Sequence, residues 1–83
     1  MSRQRSIEKI EISEYISIGE LVRLTSTRYS TLKYYTEEGM LPFQQEEQKL
    51  TRRYHRENSV KLLEVIKGLK TEGLSVAEIK DKL

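Results

Sequence analysis

The chain contains no cysteine, no tryptophan, one histidine and one proline in its 83 residues. The lack of cysteine excludes disulfides, thiolate metal sites and cysteine redox sensing. No apolar run approaches the roughly 20 residues that a membrane-spanning helix requires. The N-terminus also lacks the apolar stretch that signal peptides carry. We therefore expect a cytoplasmic protein with no membrane partner.

The side chains that catalysis needs are also scarce. His55 is the one histidine, and the chain has neither a glycine-rich phosphate loop nor carboxylates gathered in an apolar setting. We therefore predict no enzyme activity, no metal site and no cofactor. Because His55 lies between Tyr54 and Arg56, it is predicted to contact a phosphate or to be a bystander, and not to be a catalytic base.

The distribution of charge is more informative than its total. The formal net charge is only +2, with 34% charged and 36% hydrophobic residues, which fits one helix-rich domain with a small core. Acidic and basic residues are separated along the chain. The basic cluster is Lys49, Arg52, Arg53 and Arg56, and the acidic pairs are Glu37–Glu38 and Glu46–Glu47. Clustered basic side chains are typical of nucleic-acid contacts.

Local signals predict four helices after the N-terminal segment. Two capping boxes, in which a serine precedes a glutamate by three residues, mark two of the starts: Ser17 with Glu20, and Ser75 with Glu78. Gly39 and Gly73 are predicted to end helices in the left-handed conformation. The predicted helices cover 18–24, 28–38 and 57–72, and a fourth opens near 75. Gly68, inside the third of these, is predicted to mark a close helix crossing.

Two segments are less decided. In residues 1–15, the spacing of Ile7, Ile10 and Ile12 fits a helix in part and a strand in part. This arm is therefore open to three interpretations: a frayed terminus, a dimerising or core-covering segment, or a minor-groove arm that uses Arg3 and Arg5. Residues 43–54 are predicted to form a polar hairpin whose two ends pair around a long tip.

The predicted helix over 28–38 has the features of a recognition helix. Leu32 and Tyr35 are three residues apart and are predicted to face the core. Tyr29 and Ser30 lie in the first turn, where a helix inserted in the major groove meets base edges. Lys33 and the Tyr34 hydroxyl suit phosphate oxygens. The alternative is an ordinary amphipathic helix in a small bundle.

These motifs resemble a known family in content and order. The stretch Thr31-Leu32-Lys33-Tyr34-Tyr35, followed by Gly39-Met40-Leu41-Pro42, is similar to the signature of the MerR-type winged helix-turn-helix DNA-binding domain. Further similarities are Ile18-Gly19-Glu20-Leu21 in the first helix, Arg52-Arg53-Tyr54 in the wing, and Gly73-Leu74-Ser75 between the last helices. The resemblance covers residues 16–83. It implies a mainly α fold: a winged helix-turn-helix with two further helices and a short β-hairpin wing.

The resemblance also implies a DNA-binding surface. Its members in this chain are Ser17, Arg28, Tyr29, Ser30, Lys33, Tyr34, Lys49, Thr51, Arg52, Arg53, Tyr54 and Arg56. The chain departs from the family at Arg28, where serine is common, so that the helix cap is expected to pass to Thr27. Lys33 replaces an arginine. The hairpin tip is acidic, which moves the expected wing contacts to the residues that follow it.

Three functions are consistent with the sequence. The first is sequence-specific binding of double-stranded DNA as a transcriptional regulator or a domain of one. The second is an accessory architectural role in excision or plasmid partition. The third is a protein-interaction module on the same fold, using acidic residues such as Glu37 and Glu38. The family's dimerisation coiled coil is not seen, so we expect a fragment or a short form. It is expected to self-associate as a dimer on inverted repeats or to bind side by side on direct repeats.

Overall fold

The structure is a computed structural model that describes residues 5–45 and 51–83. Its elements are α1 (Ile7–Ile12), β1 (Tyr15–Ile16), α2 (Ile18–Thr25), α3 (Tyr29–Glu37), β2 (Tyr54–His55), α4 (Arg56–Thr71) and α5 (Val76–Lys82). A mainly helical chain with a small antiparallel sheet is the winged helix-turn-helix that the sequence predicts. In the described part of the chain, no helix has the length and apolarity to cross a membrane.

Both predicted capping boxes are present and set the starts of α2 and α5. The Glu20 N–H donates to Ser17 Oγ at 3.2 Å, and the Ser17 N–H donates to Glu20 Oε1 at 3.0 Å. Ser75 and Glu78 repeat this exchange at 3.2 and 2.9 Å. Each box satisfies two N–H groups that a helix start leaves without a partner. α2 ends at Ser26, which adopts the left-handed conformation with φ 55°.

The predicted cap of α3 at Thr27 is wrong. The N-cap residue is Arg28, whose backbone is extended and whose side chain makes no capping bond. The Thr27 hydroxyl instead accepts a hydrogen bond from Thr25 Oγ1 at 3.0 Å, so it is held in the turn. The end of α3 is as predicted, because Gly39 has φ 76° and the chain turns Met40 inward after it.

The start of α4 uses a residue that the sequence analysis did not identify as a cap. His55 Nδ1 accepts a hydrogen bond from the Asn58 N–H at 3.3 Å. The edge of its ring meets Tyr15, with centroids 5.4 Å apart. The close crossing predicted at Gly68 is wrong, since a Cβ built there would meet nothing within 4 Å.

The core joins every helix to the small sheet. Its buried hydrophobic residues are Ile10, Ile16, Leu21, Leu32, Tyr35, Met40, Leu41, Tyr54, Leu63, Ile66 and Ile79. Leu32 and Tyr35 face inward as predicted. One core residue, Ile10, comes from the N-terminal segment, and Ile16 follows directly after that segment. That segment therefore contributes to the core, and its dimerising and minor-groove roles stay predictions.

The sheet is built partly from the N-terminal segment. β1 pairs with β2 in antiparallel register, with Tyr15 opposite His55 and Ile16 opposite Tyr54. The predicted pairing of the hairpin ends is confirmed, because Gln44 bridges to Arg53. The sequence analysis missed β1 as the partner of the wing. Pairing of β1 and β2 fixes the base of the wing beside the start of α2.

Candidate nucleic-acid interface

α3 separates a buried face from an exposed face. Leu32 and Tyr35 are buried, whereas the Tyr29 side chain is 55% exposed at the first turn and Tyr34 is 45% exposed. Ser30 and Lys33 are exposed beside them. This separation follows from the helical period, which brings positions three and four apart onto one face. The exposed face carries two phenol hydroxyls, one aliphatic hydroxyl and one ammonium group, with the carboxylate of Glu37 at its C-terminal end.

The first turn of α3 is free to make new contacts. Within residues 5–45 and 51–83, the side chains of Arg28, Tyr29 and Ser30 have no hydrogen-bonded partner. The N–H groups of a first helical turn lack intrahelical partners and carry partial positive charge. An anion approaching this turn would therefore meet N–H donors and the guanidinium of Arg28.

The wing presents its basic residues from an ordered base. Gln44 and Arg53 exchange two backbone hydrogen bonds, at 2.7 and 2.8 Å. The guanidinium of Arg52 lies over the Phe43 ring, 4.7 Å from its centroid, which restricts where that charge is held. Arg53 and Thr51 are exposed. Lys49, Glu46 and Glu47, to which the sequence analysis gave roles at the tip, lie outside the described residues, as does Arg3 of the arm.

The predicted DNA contact by Tyr54 is wrong. Its side chain is 0% exposed, and its hydroxyl lies 3.0 Å from Thr36 Oγ1 in the interior. A fully buried phenol cannot reach a groove of DNA. Tyr54 alternates with the exposed Arg53 along the wing, as expected for neighbouring residues of a strand.

Two other predicted contacts have structural partners. Arg56 Nε donates to the backbone oxygen of Ser13 at 2.8 Å, and the Arg56 N–H donates to Glu14 O at 2.9 Å. Ser17 Oγ is the cap of α2. Both residues therefore hold the scaffold together, and their contact with DNA stays a prediction.

The structure adds Arg23 to the candidate interface and gives Arg5 a place other than a free arm. Arg5 and Arg23 line a groove beside Tyr29, and Arg5 also lines a second groove beside Thr51 and Arg53. The sequence gave no signal for Arg23, because its role depends on where the N-terminal segment folds. Glu20, predicted only as a cap residue, lines both grooves.

A further cleft borders the turn between α2 and α3 and is lined by hydroxyl and ammonium groups. Its volume is about 450 Å³, and it is lined by Ser26, Thr27, Tyr35, Lys67 and Lys70, among others. Tyr35 is 4% exposed, and its hydroxyl has no hydrogen-bond partner in the part of the chain that the structure describes. None of the described residues that line this cleft carries a carboxylate. Its free hydroxyl and two ammonium groups are hydrogen-bond donors of the kind that phosphate oxygens accept.

Residues 5–45 and 51–83 contain no group of three or more His, Cys, Asp or Glu side chains placed to hold a metal ion. His55 is used as a helix cap, and its Nε2 lies 4.0 Å from a Glu14 oxygen at the surface.

A known family matches most of the chain. The family model described as MerR HTH family regulatory protein matches residues 16–83, which is most of the chain. Comparisons with curated proteins and with solved structures returned no match.

Proposed function

The chain belongs to the MerR helix-turn-helix family of regulatory proteins, and we propose that it binds specific sequences of double-stranded DNA to regulate transcription. The observation that carries this proposal is the exposed polar face of α3, which has a basic wing beside it. A helix in the major groove and a wing on the adjacent backbone together form a footprint that fits duplex DNA.

Base reading is assigned to the first turn of α3. Tyr29 and Ser30 lie there, exposed and without partners among the described residues. A tyrosine ring contacts a thymine methyl, and both hydroxyls bond to base edges in the major groove. Arg28 has an extended backbone and lies directly before the helix, next to Tyr29 and Ser30. These three side chains are proposed to carry the sequence preference.

Phosphate contacts are assigned to cations and hydroxyls around that turn. Lys33 and Tyr34 are exposed further along α3, and Arg53 projects from the wing. Contacts of this kind position the protein on the duplex without reading its sequence. About four to six of them per protomer would give a log-log salt slope of roughly −4 to −5.

The cleft beside the turn between α2 and α3 is proposed to hold a further backbone phosphate. Its Lys70 ammonium and the Tyr35 hydroxyl line the same cleft, and Tyr35 belongs to the helix that reads bases. A phosphate held there would fix the angle at which α3 enters the groove.

The test compares two substitutions in α3. Lys33→Ala is expected to weaken binding to all sequences alike and to reduce the magnitude of the salt slope by about 1. Tyr29→Ala is expected to lose about 1–3 kcal/mol of discrimination at one or two base pairs. The readout is titration of a selected duplex and of single-base-pair variants. Wild-type affinity and selectivity in both mutants would overturn the proposed surface.

The other two functions differ from this one in separate ways. An architectural role in excision or partition would use the same contacts, and only the location and spacing of the targets would distinguish it. A protein-interaction module would use the acidic end of α3, where Glu38 lies 3.4 Å from Lys80 Nζ in an ion pair. Because Lys80 neutralises part of the negative charge of Glu38, less of that charge is available to attract a protein partner. Self-association on repeats, and action in the cytoplasm, remain parts of the DNA-binding proposal.

A further inference from the structure

The N-terminal segment crosses the surface between the recognition helix and the wing. One groove, of about 380 Å³, includes Tyr29 of α3 in its lining, and a second, of about 290 Å³, includes Arg53 of the wing. Arg5, Ser17 and Glu20 line both grooves. The Arg5–Glu20 pair therefore lies between the two elements that are proposed to hold DNA.

Arg5 is fixed in this place by its side chain and its backbone. Its Nη2 donates to Glu20 Oε1 at 2.8 Å, its Nε donates to the other oxygen, and its Nη1 donates to Ser13 Oγ at 2.9 Å. Arg23 Nη1 donates to the Arg5 backbone oxygen at 2.6 Å. A bidentate guanidinium–carboxylate pair has one preferred geometry, so the partly exposed Arg5 side chain is held against Glu20.

Glu20 is an unfavourable residue for a DNA-binding face. It is the one carboxylate among the described residues that line the two grooves, whose other charged residues are Arg5, Arg23 and Arg53. The Arg5 guanidinium, with the hydrogen bonds from Ser17, lowers the Glu20 pKa to about 2, so the group is ionised at neutral pH. An ionised carboxylate repels DNA phosphates. The helix nevertheless uses Glu20, because its Oε1 accepts the Ser17 N–H of the capping box.

We propose that Arg5 is a positioning residue for DNA binding, which cancels the charge of Glu20 between α3 and the wing so that a DNA phosphate can approach there. This inference rests on the proposed function. The N-terminal segment would then contribute to DNA binding while packed on the domain, without extending into the minor groove as a free arm. It also explains why a cap residue is tolerated on that face.

The test is a pair of variants measured by DNA titration at several salt concentrations. Arg5→Gln removes the neutralising charge and is expected to weaken binding to every duplex about tenfold. The double variant Arg5→Gln/Glu20→Gln is expected to bind within about threefold of wild type. The amide oxygen of glutamine still accepts the Ser17 N–H, so the cap survives without the charge.

A matched control is available at Lys9, four residues after Arg5 in the chain. Lys9→Gln makes the same change of charge at an exposed position of α1 that lines neither groove. It is expected to bind DNA within about twofold of wild type. Thermal unfolding followed by circular dichroism identifies any variant that is not folded at the assay temperature.

Four outcomes decide the inference. Wild-type binding by Arg5→Gln overturns it, and so does a double variant as weak as the single one, which would make Arg5 a direct phosphate contact. Glu20→Gln alone provides a test that keeps Arg5 in place: equal or tighter binding supports the inference, and weaker binding by the folded variant overturns it. If wild-type protein binds no duplex, the proposed function itself fails, which is distinct from a failure at Arg5.

Discussion

Thr36 of α3 and Tyr54 of β2 share a buried hydrogen bond, with Oγ1 and the phenol oxygen 3.0 Å apart. Thr36 Oγ1 also donates to the Leu32 backbone oxygen at 2.8 Å, so its proton is already engaged and the tyrosine is the donor. The bond joins the recognition helix directly to the wing. The relative placement of the two DNA-binding elements is therefore set in the core.

Removing either partner of this bond is expected to destabilise the fold, to different extents. Tyr54→Phe leaves Thr36 bonded to Leu32 and is expected to cost about 1 kcal/mol of unfolding free energy. Thr36→Val leaves the Tyr54 hydroxyl buried without an acceptor, at a cost of about 1–3 kcal/mol. Urea denaturation measures both. A larger loss in Tyr54→Phe than in Thr36→Val would contradict the assignment of donor and acceptor.

Alanine substitutions at two glycines are expected to have opposite effects. A Cβ at Gly68 meets nothing within 4 Å, and the residue lies inside α4. Gly68→Ala is therefore expected to stabilise the protein by about 0.5–1 kcal/mol. A Cβ at Gly39 also meets nothing, but its φ of 76° strains a side chain, so Gly39→Ala is expected to cost about 1 kcal/mol. Thermal and urea unfolding measure the change in unfolding free energy for each variant. Changes of the same sign in both variants would contradict this prediction.

Acid is expected to weaken the fold through Glu20. The hydrogen bonds from Arg5, with those of Ser17, lower its folded pKa to about 2, below the ordinary value of 4.5. A lowered carboxyl pKa stabilises the folded state above the unfolded value, and that stability is lost as the pH falls from about 5 toward 2. Because the Arg5 side chain is 41% exposed, solvent screens the pair, and we expect about 1 kcal/mol.

The measurement is the unfolding free energy from urea denaturation at pH 6 and pH 3. Glu20→Gln keeps the capping bond and removes the titrating group, so its stability should fall less over this interval than that of the wild type. Identical pH dependence in the two proteins would show that the Arg5–Glu20 pair does not stabilise the fold.

The phosphate site in the cleft makes a separate prediction. Lys70→Gln removes an ammonium from the cleft, whereas Lys61→Gln removes one from an exposed position of the same helix outside it. Lys70→Gln is expected to weaken binding to all duplexes and to reduce the magnitude of the salt slope by about 1. Lys61→Gln is expected to leave both unchanged. Equal slopes in the two variants would remove the cleft from the DNA-binding surface.

Local signals predicted most of the helical framework. The capping boxes at Ser17 and Ser75, and the left-handed glycines at positions 39 and 73, act through neighbouring residues, so the sequence contains all that is needed. In α3, the burial of Leu32 and the exposure of Tyr29 follow from the helical period alone. The family signature added the order of the elements and the wing.

The errors concern contacts between residues far apart in the chain. In the sequence, Tyr54 resembles the other polar residues of a basic wing. Only the pairing of β2 with β1 shows that its side chain points inward. The role of Arg5 depends on the packing of α1 against α2, which the isoleucine spacing left undecided. The cap of α4 was missed because a histidine is an uncommon cap residue.

The central claim is that this chain alone reads a DNA sequence through α3, and selection from random duplex DNA tests it most directly. The enriched duplex is then titrated at several salt concentrations. We predict an enriched motif and a salt slope of about −4 to −5. The layout of the motif reports the assembly: inverted repeats indicate a two-fold dimer, and direct repeats indicate side-by-side binding. No enrichment, with weak binding even at low salt, would contradict the claim.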